Sequence, residues 1–373
     1  MMTSADVVMN LRLEPVPIAS LPQPFHTHSD AALAAFRRQA SEILSRGSGF
    51  GRPVAFGGVR EDWLSCCNEA LVATDAATFF GSHFSAYRVM EKERPQGLFT
   101  GYFEPEVEGC RYATPDYAVP VMRRPSDLVA FSPEEEALTG LKYGRRENGT
   151  ATPYWDRQTL ESGKLAGQDL EICWLKSWID AFFIHVQGSG RVRLKDGGTI
   201  RLSYAAKSGL PYTGVGGVLA DRGILPRETM SMQTVKAWMA QHPTQARELM
   251  WLNRSYIFFR EISVDDGTLG AVGAAQVNLT PLRSMAVDRA YWMFGTPLWT
   301  ETIYPPEAGE VDPLIKRLMI AQDTGSAIKG LVRGDFYWGW GEEAALIAGH
   351  MKSPGQMTAL LPHAVVRRLG LPQ

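Results

Sequence analysis

Ala321-Gln322-Asp323-Thr324-Gly325-Ser326-Ala327-Ile328-Lys329-Gly330, followed closely by Gly334-Asp335-Phe336-Tyr337-Trp338-Gly339-Trp340-Gly341, is the densest concentration of polar residues set in an apolar, glycine-rich context. Asp323 ends the apolar run Leu318 to Gln322, which reads as a strand, and glycines follow. An aspartate in such a place lies at the rim of a site or caps a turn. Asp335 stands twelve residues on, so the two carboxylates can converge across a loop. Asp288, in Ala286-Val287-Asp288-Arg289, is a third candidate.

Two further segments share this character. One is Phe99-Thr100-Gly101-Tyr102-Phe103-Glu104-Pro105, a strand end. The other is Val186-Gln187-Gly188-Ser189-Gly190-Arg191. Paired carboxylates are the usual equipment for glycoside cleavage, where one group stays protonated near neutral pH to protonate the leaving oxygen. An apolar wall or a neighbouring negative charge raises a carboxyl in that way. Asp335 has Phe336, Tyr337 and Trp338 for the first and Asp323 for the second. Two other readings stand beside this one. Asp323 and Asp335 can simply cap turns, which is the commoner role on spacing alone. A magnesium or calcium site from Asp288, Asp323 and Asp335 is weaker, because no loop of EF-hand spacing is present.

The chain has 373 residues, 45% hydrophobic and 21% charged, with a formal net charge of −2. Two domains with a large core fit that length. No basic excess advertises nucleic acid, and a polar, neutral polysaccharide is compatible. The Gly188-Ser189-Gly190 turn reads as a plain hairpin before an anion cradle. The context of an esterase serine, GxSxG, is missing, as is HExxH. The four cysteines show no CxxC and read as small hydrophobes. No cofactor is called for. Residues 1–20 lack the apolar core of a signal peptide, and no run suits a transmembrane helix. Trp338, Trp340, Tyr102 and Tyr204 offer faces for sugar rings. Trp174 and Trp178, at helical spacing, read as core.

The pattern along the chain is mainly β with peripheral α-helices. A loose arm is expected over residues 1–28, then helices capped by Ser29 and Asp30 and running to about Arg46, from Asp62 to Ala73, and from Asp75 to Phe84. Strands are expected at Leu98 to Phe103, at the apolar run Phe182 to Val186, where His185 alternates, and in a hairpin at Arg191 to Leu194 and Thr199 to Leu202 around Asp196-Gly197-Gly198. Helices Met230 to Gln241 and Pro243 to Leu252 follow. Tyr256 to Ile262 and Pro297 to Ile303 are further strands, and Glu342 to Met351 is a short helix. Asp265 to Gly273 reads as a linker.

The three polar segments, together with Asp180-Ala181-Phe182-Phe183-Ile184, Leu202-Ser203-Tyr204-Ala205-Ala206-Lys207, Ser231-Met232-Gln233 and Ser255-Tyr256-Ile257-Phe258-Phe259, occur in order from about residue 95 to 362. In this they resemble the membrane-bound lytic murein transglycosylase A family. Ser326, where the family often has a second glycine, and Met293-Phe294, where a proline-containing pair is more usual, depart from its pattern. So does the lack of a lipoprotein signal. The resemblance implies a double-psi β-barrel domain from residues 1–105 and 263–373, carrying the three aspartates. It implies an inserted β-rich, barrel-like domain over 106–262, with a substrate groove between the two.

It also implies an activity. The β-1,4 bond between N-acetylmuramic acid and N-acetylglucosamine would be cut by the muramyl C6 hydroxyl, leaving a 1,6-anhydro end. Asp335 would serve as acid and then base, with Asp323 and Asp288 supporting it. Thr100, Tyr102, Gln187, Ser189, Tyr204 and Lys207 would bind substrate. No metal or cofactor is implied. The partners would be peptidoglycan glycan strands and cell-wall enzyme complexes in the periplasm or cell envelope. A hydrolase using Asp335 and Asp323, and a non-catalytic expansin-like glycan-binding module, are the competing expectations.

Overall fold

The computed structural model describes residues 11–23, 25, 28–91, 95–262, 267–310, 312–325 and 327–372. The chain divides into two compact units, one running up to Phe103 and resuming at Thr268, the other spanning Glu104 to Gly267.

In the first unit, alternation of apolar and polar residues builds one sheet. Its strands lie in the order Leu11–Val16, Phe84–Glu91, Lys352–Pro362, Pro297–Ile303, Leu314–Asp323, Ser284–Val287, Arg333–Trp340 and Gly97–Glu104. The eleven-residue strand Lys352–Pro362 is long enough to serve three partners. Lys352 to Gly355 pair with Thr100 to Gly97, Gln356 to Ala359 with Glu301 to Leu298, and Thr358 to Pro362 with Arg88 to Phe84. The last six strands therefore close into a ring, which removes their free edges. Helices Asp30–Ser45, Glu61–Val72 and Ala76–His83 cover the sheet with an aromatic-rich core of Phe25, Phe36, Trp63, Phe79, Phe80, Phe84 and Trp299. Burying each such ring contributes about 1.5–3 kcal/mol.

The second unit has its own six-stranded sheet, ordered Ile257–Ile262, Thr199–Lys207, Ser189–Leu194, Glu106–Cys110, Glu171–Leu175 and Val119–Met122. A bridge from Arg123, just past the last strand, to Phe259 in the first turns it back on itself. Glu104, fully buried, pairs with Arg191 at 3.2 Å and Arg201 at 3.0 Å, pinning the start of the insertion to two of these strands.

Several expectations need correction. Phe182 to Val186 is not a strand but the middle of helix Trp178–Gln187. Ser177 caps it by accepting from the Ile179 and Asp180 N–H groups, and Gly188 ends it at φ 78°, a conformation that suits glycine. Gly188-Ser189-Gly190 is therefore a helix-to-strand junction rather than a hairpin turn. Trp174 lies in strand Glu171–Leu175 while Trp178 begins the helix, so they share no helical face. His185, also helical, is buried edge-on to Tyr256 and beside Arg157. Burial, then the Arg157 charge, holds its pKa far below the usual imidazole value.

Part of the expected loose arm, Leu11–Val16, is a strand paired in register with Phe84–Glu91. Ser29 does not cap the first helix; its hydroxyl bonds back to the Phe25 carbonyl. Part of the expected linker, residues 265 and 266, lies outside the described residues, as does Ser326.

Candidate active site

Strand geometry places the first-unit candidates. Arg333, Asp335 and Tyr337 alternate along strand Arg333–Trp340 and share one face. Thr100 and Tyr102 do the same along the neighbouring strand Gly97–Glu104. The opposite face carries Phe99, Phe336 and Trp338, which are buried, with Phe99 and Phe336 meeting edge to face. Gly101 lies on that face for a steric reason. A Cβ there would stand 2.6 Å from the Trp338 indole and 2.8 Å from the Ala348 backbone.

Asp323 arrives from the other side. Ala286 on the central strand Ser284–Val287 is paired with Asp323 on one flank and Asp335 on the other. Only an alanine methyl separates the two aspartates in this row.

Their surroundings differ. Asp323 is recessed and fully engaged: Oδ1 accepts from the N–H groups of Ala274 (3.0 Å) and Thr324 (2.9 Å), and Oδ2 from the Tyr102 hydroxyl at 3.0 Å. Burial raises its pKa despite those bonds. Asp335 accepts at Oδ1 from the Thr100 hydroxyl, and among the described residues no donor reaches Oδ2. Burial is the main force that lifts its pKa to about 6, helped by the Asp323 charge and opposed by Thr100 and the Arg333 guanidinium. Part of its surface still reaches solvent. A carboxyl so placed is protonated for part of the time near neutral pH, has one oxygen uncommitted, and can both give and take a proton.

Asp288 sits apart in its contacts. Its two oxygens accept from the backbone N–H groups of Ala290 (2.9 Å) and Gly330 (3.0 Å), stapling two loops, with Lys329 at 3.8 Å. Among the described residues no three acidic, histidine or cysteine side chains come together to hold a metal ion.

The remaining candidates belong to the second unit. Gln187 ends the helix, and Ser189 begins the next strand opposite Ser203. Tyr204 and Lys207 are exposed on strand Thr199–Lys207, either side of a bulge. Sequence reasoning missed Arg333, whose Nη2 donates to Thr100 Oγ1 at 2.8 Å; of the expected apolar wall, Tyr337 alone shares the face of Asp335, its ring 5.3 Å from that of Tyr102. The period-two spacing of Arg333, Asp335 and Tyr337 was the available signal.

Residues 98–260 match the MltA specific insert domain, and residues 283–361 match the 3D domain. The crystal structure of a membrane-bound lytic murein transglycosylase from Agrobacterium tumefaciens superposes with a TM-score of 0.84 at 32% identity, covering 96% of this chain and 99% of that one. This chain belongs to the membrane-bound lytic murein transglycosylase A family. A member from Vibrio cholerae is 34% identical over 266 residues, a stretch that spans 70% of this chain but only 65% of that protein. E. coli MltA with bound chitohexaose is 25% identical with a TM-score of 0.69, covering 95% of this chain and 94% of that one. The closed ring of the first unit is accordingly the double-psi β-barrel of the family, and the second unit is its insert.

Proposed function

We propose that this chain cleaves peptidoglycan glycan strands in the bacterial cell envelope as a lytic transglycosylase. The bond cut is the β-1,4 link between N-acetylmuramic acid and N-acetylglucosamine. Membership of the family supports the activity, and the chitohexaose bound to the E. coli relative supports a glycan substrate. The observation that carries the mechanism is the contrast between the two aspartates. Asp335 is lifted to about 6 with no donor to Oδ2 among the described residues, while the oxygens of Asp323 are occupied by three donors.

In this mechanism protonated Asp335 gives its proton to the glycosidic oxygen as the C1–O bond breaks. The carboxylate then takes the proton of the muramyl C6 hydroxyl as that oxygen bonds to C1, closing the 1,6-anhydro ring. The nucleophile is already part of the sugar, so no second base is needed to activate water, and the intramolecular geometry supplies much of the rate. Asp323 orients Tyr102 and raises the proton affinity of Asp335. Tyr102 lies against the glycan; Gln187, Ser189, Tyr204 and Lys207 are the glycan-binding candidates of the second unit. Asp288 acts only through the loops it ties together.

The experiment is digestion of purified sacculi in H₂¹⁸O followed by mass spectrometry of the ends. Unlabelled 1,6-anhydromuramyl ends are expected, and Asp335→Asn should cut turnover at least about a hundredfold. Labelled reducing ends as the main product would make the enzyme a hydrolase. Intact glycan would leave a binding module.

A further inference from the structure

Towards the ionised Asp335 carboxylate, the Thr100 hydroxyl can only donate. A threonine hydroxyl has one hydrogen to give, and a guanidinium can only donate. Arg333 Nη2 donates to Thr100 Oγ1 at 2.8 Å, which leaves the hydroxyl hydrogen for the Asp335 carboxylate at Oδ1. The guanidinium is itself anchored, because Nη1 donates to the Gly334 carbonyl and, at 3.4 Å, to that of Leu98. All of these residues belong to the first unit.

We propose that Arg333 and Thr100 are positioning residues for Asp335, which commit Oδ1 to the protein and make Oδ2 the oxygen that carries the reacting proton. The proposal rests on the reading of Asp335 as acid and base. It removes Thr100 from the sugar-contacting set suggested by the family motif. A carboxyl that already accepts at Oδ1 holds its own proton on Oδ2 in one orientation, so acid and base steps use the same atom. Among the described residues, the charged and titratable groups facing Asp335 are Arg333 and Tyr337 on its own strand, Tyr102 on the neighbouring strand and Asp323 beyond Ala286. Thr100 and Arg333 both favour the anion, and Asp323 opposes it. Removing either positioning residue therefore moves the pKa of Asp335 up.

The test compares Thr100→Val, Thr100→Ser, Arg333→Met and Asp335→Asn in the full chain, with kcat and KM measured against pH on soluble, uncross-linked glycan strands. A hydrogen bond to a charged group is worth about 1.5 kcal/mol, which is about one pH unit. Thr100→Val should lift the alkaline limb by about that much and lower kcat roughly tenfold, leaving KM within about twofold. Thr100→Ser, which keeps the hydroxyl, should restore the parent profile, and Arg333→Met should move the limb in the same direction. A Thr100→Val enzyme with parent kcat, an unmoved limb and a raised KM would place Thr100 on the sugar and overturn the proposal. So would an Arg333→Met enzyme with an unmoved limb. Thermal unfolding of each variant separates these outcomes from misfolding, and Thr100→Ser stands as the conservative control if valine is not tolerated. Activity retained by Asp335→Asn would instead defeat the parent reading of Asp335, whatever the limbs do.

Discussion

Replacing Asp335 by asparagine should make the protein more stable, and only at neutral to alkaline pH. Burial holds the Asp335 carboxyl at about 6, against an ordinary value of 3.8. The folded state therefore binds this proton more tightly than the unfolded chain does. The group's contribution is most favourable below about pH 4 and is lost as pH rises through 6, and the difference is worth about 3 kcal/mol. Asparagine has nearly the same shape and can still accept from Thr100, but it carries no charge to desolvate and none to repel Asp323. At pH 8 the variant should be more stable by about 2–3 kcal/mol. For a folding unit of this size that corresponds to roughly 4–10 °C in the unfolding temperature. At pH 4 the gain should shrink towards zero. Scanning calorimetry of both proteins at pH 4 and pH 8, following the transition of the first unit, measures it. A gain of equal size at both pH values, or a loss at pH 8, would show that the anion is not held under strain and would remove the physical basis for Asp335 as a proton donor.

Two more outcomes follow from the same geometry. Because the acid form of Asp335 falls away above about pH 6, kcat/KM on glycan strands should drop about tenfold per pH unit between pH 7 and pH 8; a profile flat across that interval would contradict the assigned acid. Glu104→Gln should destabilise the second unit by about 3–5 kcal/mol in urea unfolding, because it removes the buried carboxylate that both Arg191 and Arg201 pair with, whereas a loss below about 1 kcal/mol would mean that this carboxylate does not hold the two strands.

Some of this architecture could be read in the sequence because local signals agreed with the fold. The hairpin Ser189–Leu194 and Thr199–Lys207 announces itself through Asp196-Gly197-Gly198, and helix Pro243–Leu252 through proline at its first position. Helix Trp178–Gln187 could not be read that way. Its Ala181 and Ile184 enter one core while Phe182 and Phe183 enter another. A helix buried on two sides has no polar stripe, and a short apolar run then passes for a strand. Strand Lys352–Pro362 was hidden by Pro354 and Gly355, and Leu11–Val16 by Pro15 at a sheet edge.

At the site, residue identity pointed to Asp323 and Asp335, but their relation depends on pairings across the sheet that no local window contains. Ala286, the residue between them, drew no attention because alanine has no chemistry of its own. Arg333 was passed over because no strand was expected over Arg333–Trp340, so the face it shares with Asp335 was not sought.

The ring of the first unit closes only when Lys352 to Gly355 meet Gly97 to Thr100, residues some 250 positions earlier. During synthesis the ribosome delivers Glu104 to Gly267 in full before any later strand of that ring exists. The insert, whose sheet is built entirely from its own residues, can thus mature first, while the strand bearing Thr100 and Tyr102 waits without its neighbours. Bringing together partners so distant along the chain is slow, and the waiting strand edge is a place where aggregation can begin. Thr100 and Asp335 meet only when the waiting strand pairs with Arg333–Trp340, which is also delivered after the insert, so proton-transfer competence arrives late in folding.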